Sequence, residues 1–229
     1  MNIGINVLAL DFDGVIVDSM PLQEIAWRKA LALVTPPVGK AATEKIICNL
    51  WSGYAGQRII ANAGLSSEQR QVARFEKDRI WRQFYPLVKT MPGAVGALHH
   101  LSLRLPIYIA TTAPRHYVEE ILKRESLAKY FQGIVTDQDV ICQKPAPDAL
   151  EKIAASASTD LGQLLLMGDT STDLEMAELA GSRFLLLDVH ARIETSDSNI
   201  DIVRSWEEAM RFGLAQTQIP DKNRIHNLV

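Results

Sequence analysis

Two aspartates set two apart close a short apolar run in Val7-Leu8-Ala9-Leu10-Asp11-Phe12-Asp13-Gly14. Carboxylates are costly to desolvate unless a cation or hydrogen-bond donors meet them, so Asp11 and Asp13 at the end of a buried-looking strand require a partner. Other apolar runs also stop on polar groups. Pro106 to Ala110 stops at Thr111 and Thr112, and Leu164 to Met167 stops at Gly168 and Asp169, with Asp173 one turn onward. Lys144 lies in the loop Cys142-Gln143-Lys144-Pro145-Ala146-Pro147-Asp148, just after the run Ile134-Val135-Thr136-Asp137. Several carboxylates converging on one point would repel unless a hard divalent cation joined them, and Mg²⁺ takes oxygen ligands while keeping some water. A lysine and a hydroxyl nearby suit the oxygens of a phosphoryl group, which leaves one carboxylate free to attack phosphorus. Each piece also has a plainer reading: a turn or cap for Asp-x-Asp, a strand-end cap for threonine, a surface lysine for Lys144, and a helix N-cap for Asp173. The coincidence of all of them with strand ends favours the chemical reading.

The elements that must position these groups alternate. From Met91-Pro92-Gly93 onward, short and nearly continuous apolar strands alternate with helices, which predicts a parallel sheet covered on both faces. Helices are predicted before Pro106 (Val95, Leu98, Leu101), over about 115–124, over about 147–156 and over 173–180, and a last strand ends at Asp188. In such open sheets ligands bind at the carboxyl ends of the strands, where the polar residues above fall. Between Val15 and Met91 the pattern is helical instead. One helix starts near Ser19 and Pro21 with an apolar stripe of Leu22, Ile25, Ala26 and Leu33, and ends at Thr35-Pro36-Pro37. A second is predicted over about 42–50. A third opens with the capping box Ser66-Ser67-Glu68-Gln69 and runs through Val72, Phe75, Ile80 and Phe84. The fold class that follows is α/β, a Rossmann-like doubly wound parallel sheet core (1–15 and 91–229) with an inserted all-helical cap domain (16–90). There is no internal repeat, and the tail after Gly213 is polar with no clear pattern.

The chain has 229 residues and a net charge of −3, which argues against a general nucleic-acid binder. The charge is uneven. Residues 16–90 carry 11 Lys+Arg against 6 Asp+Glu, a net of +5, and the remainder carries 13 against 21, a net of −8. Solvated helix faces account for most of this, and a basic lid over an anionic substrate is the sharper reading. No run approaches the ~18 apolar residues of a membrane span, and the N-terminus lacks the basic region of a secretory signal, so a cytoplasmic location is expected. Cys48 and Cys142 match no metal spacing and read as free thiols. His99 and His100 read as exposed or partly packed helix residues, and Trp27, Trp51, Trp81, Phe84 and Tyr85 as packing of the cap.

Taken together, the motifs DFDGVIVDS, IYIATTAPR, QKPAPD and MGDTSTDLEMAELAG, with MPGAVGALHHL, resemble those of haloacid dehalogenase-like (HAD) hydrolases, in the branch with a helical cap inserted after the first motif. The resemblance spans about 7–210. It implies Asp11 as a nucleophile that forms a phosphoaspartyl intermediate, and Asp13 as the acid for the leaving alcohol and then the base for water. It implies Mg²⁺ held by Asp11, the Asp13 backbone carbonyl and Asp169, with Asp173 bound directly or through water. It further implies phosphate oxygens bound by Thr111, Lys144 and amides near Gly14; Thr112 stands where many relatives carry Asn or Ser, and its hydroxyl is a further substrate-binding candidate. Dehalogenating relatives lack an aspartate at the Asp13 position, so Asp13 favours phosphoryl transfer.

The expected activity is hydrolysis of a small phosphomonoester, such as a sugar phosphate or phosphoglycolate. A phosphomutase of the β-phosphoglucomutase type and a non-catalytic protein that binds a phosphorylated ligand are the alternatives. Mutase-like relatives carry a cap histidine twelve residues after the nucleophile, and this chain has Gln23 there. Phosphonate-cleaving relatives use a cap lysine; Lys29, Lys40 and Lys45 are present, with nothing in the sequence to bring one over the site. Arg58 in GYAGQR is the candidate for a second anionic group on the substrate, with Gln57 and Gln23 as polar contacts.

Overall fold

The computed structural model describes residues 4–54, 58–190 and 200–216. Gln57 therefore lies outside the described residues, as does the tail from 217 onward. In chain order the elements are β1 (Val7–Leu10), β2 (Val17–Asp18), α1 (Met20–Ala32), α2 (Lys40–Trp51), α3 (Ser67–Phe84), β3 (Lys89–Thr90), α4 (Ala94–Ser102), β4 (Ile107–Thr111), α5 (Arg115–Arg124), β5 (Gly133–Thr136), α6 (Asp148–Ala157), β6 (Leu164–Gly168), α7 (Ser171–Ala180), β7 (Arg183–Leu187), β8 (Asp201–Val203) and α8 (Trp206–Gln216).

Six strands form one parallel sheet in the order β5-β4-β1-β6-β7-β8. Side chains alternate across a strand, and the apolar residues divide accordingly. Leu8, Leu10, Ile107, Ile109, Leu165, Met167, Leu185 and Leu187 share one core with Leu98 of α4, Ile121 of α5 and Trp206 of α8. Val7, Ala9, Tyr108, Ala110, Leu164 and Leu166 share the other with Leu150 and Ile153 of α6 and Met176 of α7. Both faces are covered, which is why the strands read as continuous apolar runs. The chain adds β4 and β5 on one side of β1 and then β6, β7 and β8 on the other. The resulting switch point lies at the carboxyl end of β1, the place where doubly wound folds bind ligands.

The helices α1, α2 and α3 come between β2 and β3, which pair antiparallel as Val17 with Thr90 and Asp18 with Lys89. This two-stranded ribbon is the base of the helical insertion. Trp27, Leu31, Ile46, Ile47, Leu50, Leu65 and Ala73 form a third apolar cluster within it. Ala26, Ala30, Ile80, Trp81 and Tyr85 instead join the cluster that runs into the sheet.

The buried stripes differ from the expected ones. On α1 the buried residues are Met20, Ala26, Trp27, Ala30 and Leu31, while Ile25 and Leu33 are 43% and 52% exposed. On α3 they are Ala73, Ile80 and Trp81, and Phe75 is 67% exposed. The predicted capping box is present, Gln69 N–H donating to Ser66 Oγ and Ser66 N–H to Gln69 Oε1. On α4, Val95 is exposed and Ala94 and Ala97 are buried in its place. The ribbon, β8 and α8 were not legible in the sequence. Among the described residues no helix is long and apolar enough to cross a membrane.

Candidate active site

Asp11 continues β1, and its amide donates to the Met167 carbonyl of β6 at 2.9 Å. The chain then turns sharply. Gly14 has φ +84°, and its amide donates to the Val17 carbonyl at 2.8 Å. The turn is braced from below by Trp206 of α8, whose indole N–H donates to the Val15 carbonyl at 2.8 Å. A Cβ on Gly14 would lie 2.1 Å from Asp169 Oδ2, and one on Gly168 would lie 2.4 Å from the Asp173 Cβ. The glycines thus let the β1 turn and the end of β6 close around the carboxylates.

Asp11, Asp169 and Asp173 are all buried and present ligand oxygens within 4.8 Å of one another. A hard octahedral ion with bonds of ~2.1 Å spans trans ligands ~4.2 Å apart, so this all-oxygen donor set, packed against two glycines, fits Mg²⁺. Lys144, joined to Pro145 by a cis peptide bond, reaches the same group from its loop. Its Nζ donates to Asp11 Oδ1 at 2.8 Å and to Asp173 Oδ1 at 2.6 Å. Asp173 also serves the third position of the α7 capping box, accepting from the Thr170 amide and hydroxyl. The N-cap itself is Thr170, so Asp173 is not the N-cap but the N3 partner of its capping box.

The electrostatics follow from burial. Desolvation pushes the Asp11 carboxyl up to about 7; Lys144 pulls it down, and Asp173 and Asp13 push it further up. For Lys144 burial works against the charge, and Asp11 and Asp173 more than offset it, so the ammonium is held protonated. Asp13 is likewise raised by burial. It is pulled back by hydrogen bonds from Ser19 and Tyr117, then by the charge of Lys77 and a hydrogen bond from Gln23. Ser19 stands at the N-cap of α1 but makes no side-chain cap bond; its hydroxyl donates to Asp13 Oδ1 instead. The Tyr117 hydroxyl donates to the same oxygen at 3.0 Å.

A cavity of about 440 Å³ lies between the helical insertion and the strand ends, a size suited to a small ligand. Asp11, Asp13, Lys144, Asp173, Thr112 and Gln23 line it. Thr111 stands just behind the wall, buried, with its hydroxyl oxygen accepting from the Ala113 amide at 3.1 Å. Arg58 is exposed and does not line the cavity; its guanidinium donates to the Lys144 carbonyl at 3.0 Å.

Besides Lys144, the cavity is lined by the cations Arg74, Lys77 and Arg82 of α3. The Lys77 ammonium lies 5.8 Å from the Trp27 ring and 5.4 Å from the Trp81 ring. Desolvation lowers its proton affinity, opposed by Asp78 and Asp13. Lys77 was missed in the sequence, yet its spacing from Ala73, Ile80 and Trp81 puts it on the buried face of α3 once that face is correctly placed. Asp137 also lines the cavity, its carboxyl pushed up to about 6 by burial against the pull of Lys144 and Arg58.

The family model of haloacid dehalogenase-like hydrolases matches residues 8–187. A phosphoglycolate phosphatase of Vibrio cholerae is 29% identical over 189 residues, 77% of this chain and 81% of the relative. A solved structure described as a predicted phosphoglycolate phosphatase from Haemophilus somnus superposes with a TM-score of 0.77 at 17% identity, covering 91% of this chain and 97% of that one. The HAD-hydrolase YfnB of Bacillus subtilis, solved with magnesium bound, gives a TM-score of 0.70 at 17% identity over 92% and 99% of the two chains.

Proposed function

The chain belongs to the haloacid dehalogenase-like hydrolase family and is a phosphatase, and from that premise we propose that it hydrolyses a small phosphomonoester bearing a second anionic group, through a phosphoaspartyl intermediate on Asp11. One observation carries the reading. Asp11, Asp169 and Asp173 converge within 4.8 Å at the switch point of the sheet, with Lys144 Nζ 2.8 Å from Asp11. Asp11, Asp169, Asp173 and the Asp13 carbonyl would hold Mg²⁺, which would neutralise charge on the phosphoryl oxygens.

Each residue then has a task. An Asp11 carboxylate oxygen attacks phosphorus and the bond from phosphorus to the ester oxygen breaks. Asp13 gives its proton to the departing alkoxide, then accepts one from the water that attacks the phosphoaspartate. Lys144 offsets repulsion between the nucleophile and an anionic substrate, the amides around Gly14 donate to phosphoryl oxygens, and Thr111, behind the wall, holds the loop through the Ala113 amide. Residues 16–90 form the cap and close the site to water about the β2–β3 ribbon. Gln23 and Thr112 bind the polar body of the substrate. The cationic side chains of α3, with Lys77 nearest Asp13 in electrostatic terms, take the second anionic group in place of Arg58. Gln23 lines the cavity with Asp13, and an amide cannot carry a proton as the histidine of mutase-like relatives does, which favours hydrolysis over phosphoryl return.

The test is phosphate release with Mg²⁺ over phosphoglycolate, hexose phosphates, nucleotides and para-nitrophenyl phosphate. The reading predicts magnesium-dependent release, fastest for small esters with a second anion and abolished in Asp11→Asn. Mg²⁺ binding without release from any ester would contradict it and point to a mutase or a binding protein.

A further inference from the structure

We propose that Tyr117, together with Ser19, is a positioning residue that holds the Asp13 carboxyl in its working direction by one of its oxygens. The inference rests on the reading of Asp13 as the acid for the leaving group.

Both hydroxyls converge on a single atom. Tyr117 Oη donates to Asp13 Oδ1 at 3.0 Å, and Ser19 Oγ donates to the same Oδ1. Tyr117 and Ser19 are fully buried, away from competing water. The Tyr117 ring is fixed edge-on to Phe12, with centroids 5.6 Å apart and planes at 87°. Trp81 and Tyr85 also pack on it, at 5.4 Å and 4.6 Å. Burial raises the phenol well above its ordinary range, so at neutral pH it remains a donor.

Two hydroxyl donors on Oδ1 fix the plane and direction of the Asp13 carboxyl. In the forward step the ester oxygen leaves phosphorus with its electron pair and takes the Asp13 proton. In the second step the attacking water gives a proton to the Asp13 carboxylate as phosphate departs from Asp11. Phe12 and Tyr117 belong to the sheet side, whereas Trp81 belongs to α3 and Tyr85 follows it directly. The hydroxyl that aligns Asp13 is thus held in place by the seated helical insertion.

The test compares kcat/KM for an alkyl phosphate, whose leaving alkoxide needs a proton, with that for para-nitrophenyl phosphate, whose leaving phenolate does not. This parameter reads only the steps through ester cleavage. Tyr117→Phe and Ser19→Ala should each lower the alkyl-to-aryl ratio about tenfold, the scale of one hydrogen bond to a charged group, and Asp13→Asn should lower it further. Equal losses on both esters, or no loss on either, in a Tyr117→Phe protein with near-normal melting would overturn the positioning role while leaving the acid role of Asp13 intact. An unchanged ratio in Asp13→Asn would overturn the acid reading and this proposal with it. If Tyr117→Phe does not fold, Ser19→Ala carries the same expectation and the same contrary result.

Discussion

Gly14 and Asp169 stand so close that a Cβ on the glycine would lie 2.1 Å from the carboxylate Oδ2. Two segments distant in sequence meet there without room for a methyl group, and the backbone at Gly14 adopts a φ of +84° that other residues avoid. Gly14→Ala should therefore push Asp169 out of the carboxylate cluster. The expected outcome is a loss of turnover of about 100-fold or more, the scale of displacing a metal-side ligand, with Mg²⁺ affinity falling alongside. Turnover and a Mg²⁺ titration check it; wild-type values for both would separate Asp169 from the chemistry.

Lys77 makes a second prediction. Lys77→Met keeps the stem between Trp27 and Trp81 and removes only the charge. For a phosphate ester with a carboxylate, kcat/KM should fall about tenfold relative to a neutral ester of equal size, the scale of one charge-assisted contact. An equal fall on both esters would mean that Lys77 acts only through Asp13.

Asp137 gives a dependence on pH. Burial lifts its carboxyl from 3.8 to about 6, so the folded state prefers the protonated form and stability declines as pH rises from about 4 to about 6. The unscreened cost above that window is about 3 kcal/mol, and about 1–2 kcal/mol once solvent around a half-buried group is allowed for. Asp137→Asn should raise the melting temperature at pH 8 and leave it unchanged near pH 4. A gain of equal size at both pH values would contradict the assignment.

Trp206 tests how the first turn is braced. Trp206→Phe removes the indole donor to the Val15 carbonyl and leaves a buried acceptor unmatched. About 2 kcal/mol should be lost, or ~4–8 °C in melting temperature for a chain of this length. Unchanged melting would mean that the carbonyl finds another partner.

The strand ends were legible in the sequence because a parallel sheet covered on both faces needs uninterrupted apolar runs. Where such a run breaks at Asp11, Thr111 or Asp169, the break marks the rim at which ligands bind. The helical insertion was harder to read. In α3 the residues Val72 and Phe75 look like the inward stripe, but the true face is Ala73, Lys77, Ile80 and Trp81, and a lysine pointing inward defeats a reading that sorts residues by hydropathy alone. Tyr117 falls within the apolar face of α5 beside Val118, Ile121 and Leu122, so its ring reads as core. Its hydroxyl has a partner 104 residues away, and no local pattern carries that distance. Arg58 shows the converse: a glycine-bearing loop does not fix the direction of a side chain, and the guanidinium turns to the Lys144 backbone. The strand β8 has only three residues, too few for an alternation to register.

The central claim is that Asp11 carries the phosphoryl group. Rapid acid quench of the Mg²⁺-loaded protein with ³²P-labelled ester tests it most directly. The account predicts a burst of protein-bound, hydroxylamine-labile phosphate approaching one per chain, mapping to the peptide containing Asp11 and absent in Asp11→Asn. Phosphate release at an undiminished rate in Asp11→Asn, with no labelled protein in either, would contradict it.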